Sequence, residues 1–118
     1  MEKTNPMRGS YLGEFEELVL LTVAVLYDEA YGVAISEEIE QQTGRAASIS
    51  AVHAALNRLS DKGMVTSHLG GATAERGGRR KRFFTVTPAG SKVLHEIRHQ
   101  RQQLWAQIPP QALRWKMG

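Results

Sequence analysis

The stretch that most constrains the fold is Gly13 to Asp28, "GEFEELVLLTVAVLYD", where a block of acids runs into apolar residues at nearly every position. Acids suit the positive end of a helix, so the pattern predicts a first helix here, with a strand reading of the Val-rich middle left open. A helix that is apolar all round has to be covered all round. The chain has 118 residues, which suits one domain that buries its own core without disulfide or metal staples. So short a chain cannot supply all of the cover, and a partner subunit is expected to provide the rest.

Two more helices follow. "YGVAISEEIEQQTG", Tyr31 to Gly44, sets Val33, Ile35 and Ile39 among acids and glutamines, with Gly44 placed for a left-handed C-cap. "SISAVHAALNRLSDKG", Ser48 to Gly63, spaces Ile49, Val52, Leu56 and Leu59 by three and four residues behind a Ser cap. Its opposite face holds Ser50, His53, Ala54, Asn57 and Arg58, with no acid before Asp61. Beyond Gly63, "MVTSHL" and "KRFFTV" read as short strands joined by "GGATAERGGRR", a long hairpin loop. Alternation puts Phe84 and Val86 on the inward face and leaves Phe83 to pack beneath the hairpin. Thr87 then caps a last helix with Pro88 at its first position, and Pro109 and Pro110 end it near Ile108. Val93, Leu94, Ile97, Leu104 and Ile108 form a stripe on it that Arg101 interrupts, the pattern of an interface helix.

Charge points to the partner. Residues 1–44 carry nine acids against two bases, and residues 45–118 carry thirteen bases against three acids, net −7 and +10. Five cations, Arg76, Arg79, Arg80, Lys81 and Arg82, fall within seven positions of the hairpin. Such asymmetry marks a face meant for a polyanion, with nucleic acid the commonest.

Three helices, a basic hairpin and a further amphipathic helix are the parts of a winged helix-turn-helix, mainly α with a two-stranded β-wing, "RAAS" being the turn. The third helix would lay Ser48, Ser50, His53, Ala54, Asn57 and Arg58 in the major groove of double-stranded DNA. The wing would bring its five cations to phosphates or a minor groove. Residues 1–12 read as a leader, 13–87 as the DNA-binding unit, 88–108 as a dimerisation helix and 109–118 as a tail. Aromatics among bases also allow a single-strand stacking platform, although Phe at the core end of a strand is ordinarily packing.

Other chemistry finds little support. With no cysteine there is no thiolate nucleophile or Cys-based metal cluster, and nothing requires an oxidising compartment, so a cytoplasmic location is expected. No segment reads as a secretory signal or membrane span. His95 and His99 have a metal-compatible spacing but lack further ligands, and surface histidines are the plainer reading. The glycine-rich loop lacks the Lys-Ser/Thr of a phosphate-binding loop, and no Ser, His and acid set has catalytic context. No enzyme activity and no cofactor are expected. The alternative from another class is a dimeric winged helix whose basic wing docks an acidic protein.

From about Gly13 to Trp105 the chain resembles the PadR family of transcriptional regulators, through its apolar first helix, "YGVAISEEIEQQTG", "SAVHAALNRLSDKGMV" and "GGRRKRFFTVTPAG". The resemblance implies a homodimeric repressor whose last helix packs on the partner's first helix, with Phe15, Leu18, Leu94, Ile97, Arg101, Leu104 and Trp105 at the interface. It implies two recognition helices in successive major grooves of a palindromic operator, on the order of 34 Å apart. A small phenolic or hydrophobic effector is implied by the resemblance alone. Two departures stand out. His53 and Ala54 occupy places where the family usually has tyrosine and proline, so His53 reads either as a donor to DNA or as a solvated helix residue. Arg101 stands where drug-binding relatives carry a tryptophan, with Trp105 one turn further along, so Trp105 reads as an interface anchor.

Overall fold

In the computed structural model, which describes residues 11–70 and 80–114, the Val-rich segment resolves as a helix, α1 (Glu14–Leu26). Glu14, Glu16 and Glu17 occupy its first turn, where they complement the helix dipole. A 3₁₀ turn, Tyr27–Glu29, breaks α1 and leads into α2 (Gly32–Thr43). Gly44 ends α2 at φ 73°, a left-handed conformation that favours glycine, and donates its N–H to the Glu40 carbonyl. After the turn comes α3 (Ile49–Asp61), where the Ser48 hydroxyl accepts the Ala51 N–H at 3.1 Å as a true N-cap. Strands β1 (Val65–Gly70) and β2 (Lys81–Val86) pair antiparallel, with Val65 opposite Val86 and Gly70 opposite Lys81. Finally α4 (Pro88–Gln107) starts on the Thr87 cap, whose hydroxyl accepts the Gly90 N–H, and a 3₁₀ turn spans Pro110–Leu113. Among the described residues no helix is long and apolar enough to cross a membrane.

The core forms where the apolar stripes of α1, α2 and α3 meet. Val19, Leu20, Val23, Ile35, Ile39, Val52, Leu56 and Leu59 are buried there, closed below by Met64, Val65 and Phe84. Fully burying a side chain of this size contributes roughly 1.5–3 kcal/mol, so these three stripes are the main source of stability. Two of the apolar residues read in these helices, Val33 and Ile49, are exposed. Val33 stands two positions, about 200°, round α2 from the buried Ile35, and Ile49 is the first residue of α3.

Cover on α1 is one-sided. Val19, Leu20 and Val23 are buried, and Thr22 satisfies its hydroxyl on the Leu18 carbonyl at 2.8 Å, yet Leu21 and Val25 are 43% and 63% exposed. The last helix divides by length. Val93 and Ile97 lie in the protomer's own core, whereas every residue from Arg98 to Gln107 is exposed, including Leu104 at 63% and Trp105 at 65%. A 20-residue helix extends about 30 Å, so its second half projects well past the core.

The wing is tied to α2 by a contact the sequence pattern did not reveal. Phe84 donates its N–H to the Ala30 carbonyl at 2.8 Å, and Tyr31 forms an isolated antiparallel bridge with Phe83. So β2 has a neighbour on both sides, β1 on one and the Ala30–Tyr31 link on the other. As alternation predicts, Phe84 is buried and Val86 half-buried, while half-buried Phe83 meets Tyr31 edge-on at 5.5 Å and stacks with His68 at 5.8 Å. Gly70 permits this packing, since a Cβ there would stand 2.3 Å from Phe83 Cε1.

Candidate nucleic-acid interface

The helical period sorts α3 into two faces. Val52, Ala55, Leu56 and Leu59 have no exposed surface, and Ser48, Ser50, His53, Ala54, Asn57 and Arg58 are all exposed. The helix tip is rigid: Ser48 caps it, the Ser48 and Ser50 hydroxyls lie 3.3 Å apart, and Ser36 on α2 donates to the Ala47 carbonyl at 2.5 Å, pinning the turn. His53 lies against the start of α2. A Cβ at Gly32 would come within 2.6 Å of its Nε2, so the ring packs against the first turn of α2 while remaining exposed. That packing joins the two helices of the motif, and only the small residue at position 32 hints at it in the sequence.

Of the wing cations, Arg80, Lys81 and Arg82 are described and Arg76 and Arg79 lie outside the described residues. Arg80 is exposed. Lys81 Nζ sits 4.1 Å above the Tyr31 ring, a cation–π contact that holds the base of the wing. Arg82 is exposed and donates from Nη1 to the Ser67 hydroxyl at 2.9 Å across the ladder, which leaves its charge unpaired among the described residues.

Other cations have acidic partners. All four ion pairs among the described residues join an acid of α1 to a base from the second part of the chain. Glu14 takes Arg45 of the turn at 2.7 Å, and Arg45 also lies over the Phe15 ring. Glu17 takes Arg101 of α4 at 3.3 Å. Glu16, with a side chain only 11% exposed, takes Arg58 Nε at 2.6 Å on one oxygen and Lys62 Nζ at 2.7 Å on the other. Burial alone would raise the Glu16 pKa, but hydrogen bonds from Lys62 and Arg58, reinforced by their charges, outweigh it and hold the carboxyl below its ordinary value. The imbalance between the two parts of the chain is therefore partly neutralised within the molecule. Sequence reading missed this, since Glu16 lies 42 and 46 residues from its partners.

The residues expected at a subunit interface do not form one continuous surface in the protomer. Ile97 is buried in the protomer's core, Phe15, Leu18 and Leu94 are half-buried against it, and Arg101, Leu104 and Trp105 are exposed. An open groove of about 420 Å³ between α1 and α4 brings together Glu17, Leu21, Leu94, Arg101 and Trp105. Leu21 and Val25 are exposed on α1, which was legible only as the general excess of apolar residues there. His95 points its Nδ1–H at the Ser91 carbonyl of its own helix, 2.8 Å away.

Comparison with known proteins agrees with this geometry. Solved structures with the same fold include a PadR family transcription regulator from Clostridium difficile R20291 (24% identity, covering 86% of this chain and 100% of that one, TM-score 0.65). They also include a PadR-like transcriptional regulator from Bacillus cereus (14% identity, 86% and 93%, TM-score 0.68). A third is a PadR-like transcription factor from Bacteroides fragilis (19% identity, 85% and 88%, TM-score 0.65). No curated protein matches the chain in sequence. The family described as transcriptional regulator PadR-like matches residues 20–96, from the middle of α1 to the first half of α4. The chain is therefore a member of the PadR-like family, which consists of transcriptional regulators and not enzymes.

Proposed function

We infer that this regulator binds double-stranded DNA sequence-specifically as a homodimeric repressor, with α3 in the major groove of each half of a palindromic operator and the wing on adjacent phosphates or the minor groove. The observation that carries the reading is the outward face of α3. Ser50, His53, Ala54 and Asn57 form a small, polar, acid-free surface on a helix whose other side buries Val52, Ala55, Leu56 and Leu59, so the helix can approach base edges without losing its packing. Arg80 and Arg82, exposed and without acidic partners among the described residues, supply the phosphate-directed charge. Leu21, Val25, Leu104 and Trp105, exposed on α1 and α4, support pairing with a second copy, which would set two α3 helices at a fixed spacing.

Selection of bound fragments from random DNA by the purified protein tests this reading. Enriched inverted repeats with half-sites about one helical turn apart are expected. A bound pool without sequence enrichment would remove the reading and favour a wing that docks an acidic protein.

A further inference from the structure

Arg58 does not extend straight out from the reading face of α3. It stands about 100° round the helix from Asn57, at the edge of that face, and its side chain reaches back to the first turn of α1, where Nε donates to Glu16 Oε2 at 2.6 Å. A guanidinium is planar, so fixing Nε fixes the direction of the four N–H groups on Nη1 and Nη2. Those groups have no hydrogen-bond acceptor among the described residues, and the side chain is 52% exposed. The carboxylate is itself held. Lys62 Nζ occupies Glu16 Oε1 at 2.7 Å and bonds the Tyr11 carbonyl at 2.9 Å, so neither carboxylate oxygen is free to rotate away.

We propose that Glu16 is a positioning residue for DNA binding: it holds the Arg58 guanidinium at the flank of α3 with its Nη edge free for a backbone phosphate, so that Arg58 clamps the duplex instead of reading a base. The proposal rests on the reading that α3 enters the major groove. Its physical content is a preorganised fork. An unpinned arginine has to order its side chain when it meets the phosphate, whereas this one is ordered beforehand by a buried acid. The consequence is opposite in sign to simple charge counting, because an acid beside a DNA-binding helix ordinarily weakens binding.

The test is a set of fluorescence-anisotropy titrations with two probes, a duplex enriched from random DNA and a mixed-sequence duplex, across a range of salt. Arg58→Ala is expected to weaken both by about tenfold, the loss of one charge-assisted hydrogen bond, and to reduce the salt slope by about one. Glu16→Ala is expected to weaken binding by a similar factor although it removes a negative charge, and Glu16→Gln, whose oxygen still accepts Nε although its amide no longer accepts Lys62, to lose less than Glu16→Ala. In an Arg58→Ala background, Glu16→Ala should add no further loss. Tighter or unchanged binding by Glu16→Ala overturns the proposal, as does an undiminished loss in the Arg58→Ala background or a weakening by Arg58→Ala confined to the enriched duplex. If Glu16→Ala does not fold at the assay temperature, Arg58→Lys decides, since it keeps the charge without the fork: loss of most of the tenfold is expected, and wild-type affinity refutes the clamp. Wild-type protein that binds neither duplex would instead remove the functional reading on which the proposal rests.

Discussion

Replacing Trp105 with alanine should dissociate the proposed dimer and leave the protomer folded. The ring is 65% exposed in the protomer, on the half of α4 that lies beyond the core, so its removal opens no cavity there. A tryptophan buries up to roughly 250 Å², so about 160 Å² is left for a partner to cover. At about 25 cal/mol per Å² that area corresponds to about 4 kcal/mol per copy. Area converts poorly to affinity, and half of that figure matches a typical aromatic hot spot, about 2 kcal/mol. Two copies per dimer give about 4 kcal/mol, close to a thousandfold in the dimer dissociation constant. Sedimentation velocity over a concentration series measures the shift, and the thermal melt of the dilute monomer checks that the fold is intact. A dissociation constant that moves by less than about threefold would place Trp105 off the interface, and a wild-type protein that stays monomeric at micromolar concentration would falsify the view that a second copy covers α1 and α4.

Further outcomes test the wing and the ion-pair cluster. Arg80→Ala with Arg82→Ala should weaken binding to all DNA sequences alike and reduce the salt slope by roughly two, one for each phosphate no longer neutralised; an unchanged slope rules out that role. Asn57→Ala should change the preferred sequence, and equal losses on enriched and mixed duplexes would show that Asn57 does not face the bases. Because the folded pKa of Glu16 lies below its ordinary 4.5, the stabilisation it gives is complete above that value and is lost as pH falls through the lowered folded value. The difference in urea midpoint between wild type and Glu16→Gln should therefore be constant near neutrality and vanish in acid, and a difference that does not change with pH contradicts the ionised pairing. Gly70→Ala would set a methyl 2.3 Å from the Phe83 ring, so a loss of roughly 1–3 kcal/mol is expected, seen as a lower Tm. An unchanged Tm would mean that the ring moves aside without loss.

Much of the fold is legible because its determinants are local. The Ser48 cap, the Val52–Leu56–Leu59 spacing and the left-handed Gly63 define α3 from within a short window, and Thr87 and Pro88 do the same for the start of α4. Alternation is enough to turn Phe84 inward. Periodicity reports which side of a helix is apolar and not how much of it the protomer covers. Hence Ile97 reads as part of an interface stripe although it completes the core, and Leu21 and Val25 are not singled out. The contacts that orient the candidate site are less legible still. Glu16 with Arg58 and Lys62, His53 with Gly32, and Phe84 with Ala30 all join residues that no local pattern links, because they depend on how α1 and β2 lie against the helix-turn-helix.

Those long-range contacts change what the charge pattern means. The excess of acid in the first 44 residues and of base in the remainder reads as one face meant for a polyanion. In the folded protomer three acids of α1 instead hold Arg45 at the turn, Arg58 on α3, Lys62 just past its end, and Arg101 on α4. Each pair joins α1 to one of the elements around it, so the acids hold α3 and its neighbours against α1. Exposed pairs such as Arg45 with Glu14 contribute little stability, about 0–1 kcal/mol, whereas the shielded Glu16 pair is costly to break from one side. The cations at the base of the wing have no such acidic partners among the described residues. On the proposed DNA-binding reading, charge that is mostly neutralised at the helix-turn-helix and unpaired at the wing would leave α3 to discriminate mainly by shape and hydrogen bonding, with Arg58 as its one phosphate contact, and would give the hairpin most of the salt-dependent share of affinity.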